Sequence, residues 1–105
     1  MSGEQAQFHI GQLVHHLLFD YRGVIFDVDR QFEGDDAWYD AMARSRPPRD
    51  KPWYHVLVHG ADHTTYVAER NLDADDSSQP IDHPLVRELF ANFENGRYMS
   101  PHSYN

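Results

Sequence analysis

Cysteine is absent from the 105 residues, which removes disulfides, zinc–thiolate sites and thiol catalysis together. No apolar run approaches the roughly 18 residues that a membrane-spanning helix needs. The opening Met-Ser-Gly-Glu-Gln-Ala-Gln has neither a basic start nor an apolar core. A secretory signal is therefore not expected, and a cytoplasmic address fits. Positive charge is scarce: nine Lys and Arg against 17 Asp and Glu leave a net charge of −8. Nucleic-acid-binding domains draw much of their affinity from neutralised phosphates and usually carry the opposite balance. The same acidity opposes binding to anionic membrane surfaces. There is no glycine-rich phosphate loop. Ser2, Ser45, Ser77, Ser78, Ser100 and Ser103 all fall in expected loops or tails, none in a Gly-x-Ser-x-Gly elbow. Neither an enzyme nor a cofactor is expected.

Hydrophobic residues at 40% and aromatics at 13% place the chain among single globular domains with one modest core. Its centre is Lys51 to Leu72. Trp53 to His59, bounded by Pro52 and Gly60 and rich in aromatic and β-branched residues, reads as a strand. The period of two puts Tyr54, Val56 and Val58 on a core face, with Trp53, His55, Leu57 and His59 opposite. Gly60-Ala61-Asp62 turns the chain into a second strand, Thr64 to Glu69. Such a hairpin needs further strands to cover it.

The flanks supply them. Phe8, Ile10 and Val14 share a face, and Gly11-Gln12 marks a bend or close backbone approach. Asp20-Tyr21-Arg22-Gly23 reads as a turn with Gly23 at positive φ. Val24 to Asp29 follows as a strand with Val24, Phe26 and Val28 inward and Asp27 and Asp29 outward. Asp35 or Asp36 caps a short helix through Met42, with Trp38 and Met42 one turn apart. Ala43 to Pro52 is a proline-stiffened loop, expected to be the most exposed and mobile part of the domain. His83-Pro84 opens a C-terminal helix on which Leu85, Leu89 and Phe93, and Val86 and Phe90, recur every four residues, ending at Asn95-Gly96. Residues 1–7 read as a flexible tail, 8–96 as the domain, and 97–105 as a C-terminal tail whose aromatics either pack or fray.

Several groups invite chemistry. Eight histidines raise the question of a metal site. His55 and His59 share a strand face but stand roughly 13 Å apart, too far for one ion. Asp27 and Asp29 share a face and have the character of paired carboxylates, or simply of a solvated strand. Neither feature assigns a metal ligand. Arg44, Arg46, Arg49 and Lys51 gather four of the nine basic residues in one loop, a candidate contact for a protein partner or for DNA phosphates. Trp38, Trp53, Leu57, Tyr98 and Tyr104 form the candidate interaction or oligomer surface.

Four collinear blocks carry a resemblance: Phe8-x-Ile10-Gly11-Gln12-x-Val14-x-His16; Tyr21-Arg22-Gly23-Val24-Ile25-Phe26-Asp27-Val28-Asp29; Pro52-Trp53-Tyr54-His55-Val56-Leu57-Val58; and Tyr66-Val67-Ala68-Glu69-x-Asn71-Leu72. In these the chain resembles the bacterial HspQ or YccV-like family, also called the hemimethylated-DNA-binding-domain family. The resemblance runs from about Phe8 to Phe90. It departs at Arg30, where many relatives carry proline. It implies a mainly β fold, an SH3-like, strongly bent β-barrel with a short helix in a long inter-strand loop and a C-terminal helix. It also implies a cytosolic homo-oligomer, with a trimer as the expected ring. Two roles come with the family. One is a heat-shock regulator or adaptor that promotes degradation of specific or denatured proteins by an ATP-dependent protease, with that protease and its clients as partners. The other is recognition of hemimethylated DNA near the replication origin. The charge balance favours the first.

Overall fold

The computed structural model describes residues 5–101. β1 (Leu13–His16), β2 (Arg22–Asp29), β3 (Trp53–Val58), β4 (Thr64–Ala68) and β5 (Leu72–Ala74) form one antiparallel sheet. Its spatial order is β4-β3-β2-β1-β5. The strands at its two edges, β4 and β5, are joined by a single 3₁₀ turn, Glu69–Asn71. In a flat sheet those edges would stand four strand spacings, about 19 Å, apart. A 3₁₀ turn advances only about 2 Å per residue. The sheet must therefore curl until its edges approach. This strongly bent sheet is the architecture expected from the sequence.

Bending divides the side chains into two sets. Val14, Ile25, Tyr54, Val56, Val67 and Leu72 are buried together on the concave side, with Phe8, Tyr21 and Val28 packed against them. The convex side is covered twice. At one end Leu13, Val24 and Leu57 are buried under Ile81, Phe90 and Tyr98 from the C-terminal segment. At the other end Trp53 and Ala68 are buried under Phe32, Tyr39 and Ala43 from the β2–β3 excursion. β3 is consequently buried on both faces except at half-buried His55.

The C-terminal segment differs from the expected helix. α2 (Val86–Leu89) is one turn long, and the chain then forms a hairpin of β6 (Asn92–Glu94) and β7 (Arg97–Met99). Asn95 and Gly96 both have positive φ, 54° and 79°, the hand of a two-residue hairpin turn. Asn-Gly here reverses a strand; it does not terminate a helix. A four-residue repeat of apolar side chains sustains a helix only where one continuous face is buried. Here Phe90 and Tyr98 dock on the sheet, which rewards the hairpin. Arg97 to Met99, expected as tail, is thus part of the fold. Gly11 confirms a close approach: a Cβ on it would lie 2.0 Å from the Tyr98 carbonyl oxygen, and its own carbonyl accepts the Tyr98 N–H at 2.8 Å.

β2 also departs from simple alternation. Leu13 pairs with Val24, and Ile25 with Val56, but the register then shifts so that Asp27 lies opposite His55 and Val28 opposite Tyr54. Phe26 is the extra residue of this bulge, and it re-aims the rest of the strand. Val28 joins the concave core, Val24 and Phe26 the convex cluster, and Ile25 is the inward residue that alternation left out. The preceding turn lies earlier than expected. His16 N–H donates to the Tyr21 carbonyl and Asp20, not Gly23, has positive φ, 58°. Gly23 sits in β2, where a Cβ would meet the Leu57 carbonyl oxygen and a Val56 methyl at 2.5 Å.

Val56 is wholly buried and His59 is exposed. Val56→Ala should destabilise by about 1–3 kcal/mol through lost burial and an incompletely collapsed void, whereas His59→Ala should cost little. Denaturation midpoints check the order; its reversal would place the core on the other side of β3.

Candidate functional site: a pinned basic loop beside an aromatic cluster

α1 (Asp36–Met42) begins at Asp35, whose carboxylate accepts the Trp38 N–H at 2.8 Å, and ends at Ala43. Seven residues do not hold a helix alone in water. Docking does so here, through buried Tyr39 and Ala43 and half-buried Trp38. Phe32 lies 4.8 Å from the Trp53 ring and 5.4 Å from Tyr39, both edge-on, while Trp38 meets Trp53 and Tyr66 edge-on at 6.1 and 5.6 Å. Rings packed in this way leave no cage for a ligand; they form a core.

The loop that follows is tied down at successive carbonyls. Ser45 accepts from the Arg70 guanidinium at 2.7 Å, Pro47 from the Tyr39 hydroxyl at 2.5 Å, Pro48 from the Trp53 indole at 3.0 Å, and Arg49 from the Phe32 N–H at 2.9 Å. Pro47 and Pro52 are buried and Lys51 is half-buried. The expected freely exposed connector is therefore a docked element. Arg46 donates to Asp40 at 3.0 Å and Arg49 to Asp36 at 2.5 Å. Their guanidiniums also stack 4.9 and 4.7 Å from the Tyr39 ring, with Arg49 5.0 Å over Phe32. Arg44 is exposed and makes no ion pair among the described residues. The four basic residues do share one loop, but two of them face carboxylates of their own helix.

The candidate apolar surface fares differently. Trp53, Leu57 and Tyr98 are 1%, 0% and 6% exposed and belong to the core. They are buried because the excursion and the C-terminal hairpin both fold back over the convex side of the sheet. Trp38 is half-buried, and Tyr104 lies outside the described residues. The most exposed large apolar side chains among the described residues are instead Leu17, Leu18 and Phe19 at 51, 56 and 74%, with Met42 at 64%. An apolar triplet directly between a strand and an aspartate was the available signal; placing the turn at Asp20–Gly23 hid it.

Between the two covers a polar seam remains. Along the convex face of β3, His55 stands between covered Leu57 and covered Trp53. The bulge brings Asp27 and Asp29 to the same place, and donor atoms of these three residues lie within 4.8 Å of one another. Asp29 already accepts from the Tyr66 hydroxyl at 2.6 Å and bonds His55 at 3.1 Å. Burial, then the Asp29 hydrogen bond, drives the Tyr66 phenol well above its usual range, so it stays a donor. Holding a metal would cost Asp29 its bonds to Tyr66 and His55, which at present form a hydrogen-bonded network with exposed Asp27 beside it. Elsewhere, Arg22 bonds Asp75 at 2.7 Å, tying the chain after β5 to β2. Burial alone would raise Asp75, but hydrogen bonds from Arg22 and Ser77 outweigh it and hold the carboxyl below its ordinary value.

A small, strongly bent antiparallel domain, covered on its convex side by an arginine-bearing excursion and a C-terminal hairpin, is the class that these features define. Residues 6–97 match the family model described as hemimethylated DNA-binding protein YccV like. The chain belongs to this YccV-like family. No helix among the described residues is long and apolar enough to cross a membrane.

The burial contrast is testable. Trp53→Ala removes a fully buried ring and the indole bond to Pro48, and should cost about 3–5 kcal/mol. Trp38→Ala should cost clearly less. Chemical denaturation of both variants checks this; equal losses would mean that Trp38 is as central to the cluster as Trp53.

Proposed function

We propose that this chain is a cytoplasmic, non-catalytic protein-binding regulator that promotes degradation of specific or denatured proteins by an ATP-dependent protease. The observation that carries the reading is the charge of the helix and loop from 35 to 51. Arg44, Arg46, Arg49 and Lys51 are matched there by Asp35, Asp36, Asp40 and Asp50, leaving no net charge. A phosphate-binding footprint requires a basic surplus. The rest of the chain adds the full −8. The exposed apolar turn Leu17-Leu18-Phe19 suits protein contacts better than contacts to a phosphate backbone.

Hemimethylated-DNA recognition is the second reading, favoured by the family description and by exposed Arg44. The ion pairs of Arg46 and Arg49 are solvent-exposed and worth about 0–1 kcal/mol, so phosphates can displace them. Even with all four cations engaged, the logarithmic salt slope would be at most about −3.6.

The two readings separate cleanly in vitro. Under the regulator reading the purified chain changes the rate at which an ATP-dependent protease destroys a client, and it binds DNA weakly at about 150 mM salt whatever the methylation. Replacing Arg44, Arg46, Arg49 and Lys51 together by glutamine would matter little for such weak DNA binding. Tight binding at that salt, with a preference for hemimethylated over fully methylated duplex that the quadruple variant loses, would overturn the reading in favour of DNA.

The reading includes self-association, with a trimeric ring as the form the family resemblance implies. Leu17, Leu18, Phe19 and Met42 supply exposed apolar area for it. Light scattering at micromolar concentration should give a mass above the 12.3 kDa of one chain; a single species at that mass would sink the idea.

A further inference from the structure

The geometry points to His16 as a proton-operated latch on the exposed apolar turn Leu17-Leu18-Phe19: neutral His16 holds the turn in one arrangement, and protonation releases it. His16 is 5% exposed although it begins a turn whose next three side chains project into solvent. Its Nδ1 accepts two backbone N–H groups, from Leu18 and Phe19, both at 3.1 Å. An imidazole nitrogen that accepts cannot also carry a proton, so the ring is neutral with its hydrogen on Nε2. The ring stacks on Phe19 at 4.9 Å and lies 5.0 Å from Tyr21, the residue just before β2. His16 is thus both the acceptor and the platform on which the turn is built.

The surroundings oppose a charge there. Burial, and then the neighbouring His15, lower the pKa of His16. On the same turn, Asp20 is held by His15 at 2.6 Å and not by His16. Just before β2, the Tyr21 phenol is raised by burial and bonded to Thr65 at 2.7 Å, so it remains neutral, and Arg22 of β2 lies opposite His15. From the β5 side, Leu72 lies opposite His16 and Asp73 opposite His15, while the Asn71 carbonyl takes the Leu17 N–H at 2.9 Å. None of these bonds offers His16 a carboxylate partner. A base whose folded pKa is lowered contributes stability that is complete above its unfolded value, about 6.5. That contribution is lost as pH falls from there through the lowered folded value. Protonating Nδ1 then turns an acceptor of two N–H groups into a third donor facing them. The Asp20 end of the turn is held separately, by the 2.6 Å contact between His15 and Asp20. The loosening is therefore confined to the Leu18 and Phe19 end of the turn.

The test is a pH titration of the unmodified chain by ¹⁵N NMR, which needs no variant to fold. At about pH 7.5 the ring nitrogens of His16 should report the Nε2–H form. Towards about pH 5 the Leu18 and Phe19 amides should lose protection by about tenfold or more, after correction for intrinsic exchange, while the Val56 amide keeps its own. His16→Asn places a non-titrating acceptor near Nδ1 and should keep the turn protected at both pH values. His16→Leu should leave it unprotected at both. His15→Gln should leave the acid response in place. A proton on Nδ1 at neutral pH, titration of His16 without a response in the turn, or an undiminished acid response in His16→Asn would each overturn the latch.

Discussion

Three residues, Glu69 to Asn71, join the two edge strands of a five-stranded sheet, and the remaining architecture follows from that short connection. It forces the sheet to curl. Curling creates a concave interior small enough for one layer of side chains, which Tyr54, Ile25, Val56 and Val14 fill. It also leaves a convex surface too apolar to face water, because Trp53, Leu57, Val24 and Leu13 point outward. The long excursion after β2 and the C-terminal hairpin are the two pieces of chain that cover it. The connection is itself tied down. Glu69 donates its backbone N–H to the Pro52 carbonyl, and its carboxylate accepts from the Tyr54 hydroxyl at 3.1 Å.

The same covering explains the distribution of charge. Arginines 46 and 49 are exposed but already engaged, since their guanidiniums lie on Tyr39 and Phe32 and face the carboxylates of α1. Guanidinium planes suit this dual use, since they stack on rings while donating in their own plane. The basic loop thus serves to dock the excursion as well as to present charge. Its cations are counted once by composition, but at least two of the four are already engaged.

Polar groups caught in the folding of these layers have been paired, not excluded. Among the described residues no buried side-chain nitrogen or oxygen lacks a hydrogen-bond partner. In the seam between the covers, Asp29 is bonded by both His55 and Tyr66, with exposed Asp27 beside them. His16 is a second such case, where the partners are backbone N–H groups of the turn that exposes Leu17, Leu18 and Phe19. Both sites depend on a neutral donor or acceptor being kept neutral by burial.

Local chemistry alone determined the strand β3 and its hairpin, a cap at Asp35 or Asp36, and the one-turn spacing of Trp38 and Met42. Each rests on residues within a few positions of one another, where propensity and periodicity speak directly. The family was legible for the same reason, since its four blocks lie on β1 to β4 and the turn that follows. The acidic balance that weighs against DNA is a sum over residues and needs no fold. What the tertiary structure decided is which apolar residues are left over. Trp53, Leu57 and Tyr98 look like surface only until a distant segment lands on them, and no window of sequence contains that segment. The Phe26 bulge, the hairpin at Asn95-Gly96 and the early turn at His16 were settled likewise by pairing with strands far along the chain. Local periodicity offers a helix or a strand on one face; long-range burial chooses between them and determines which face is dry.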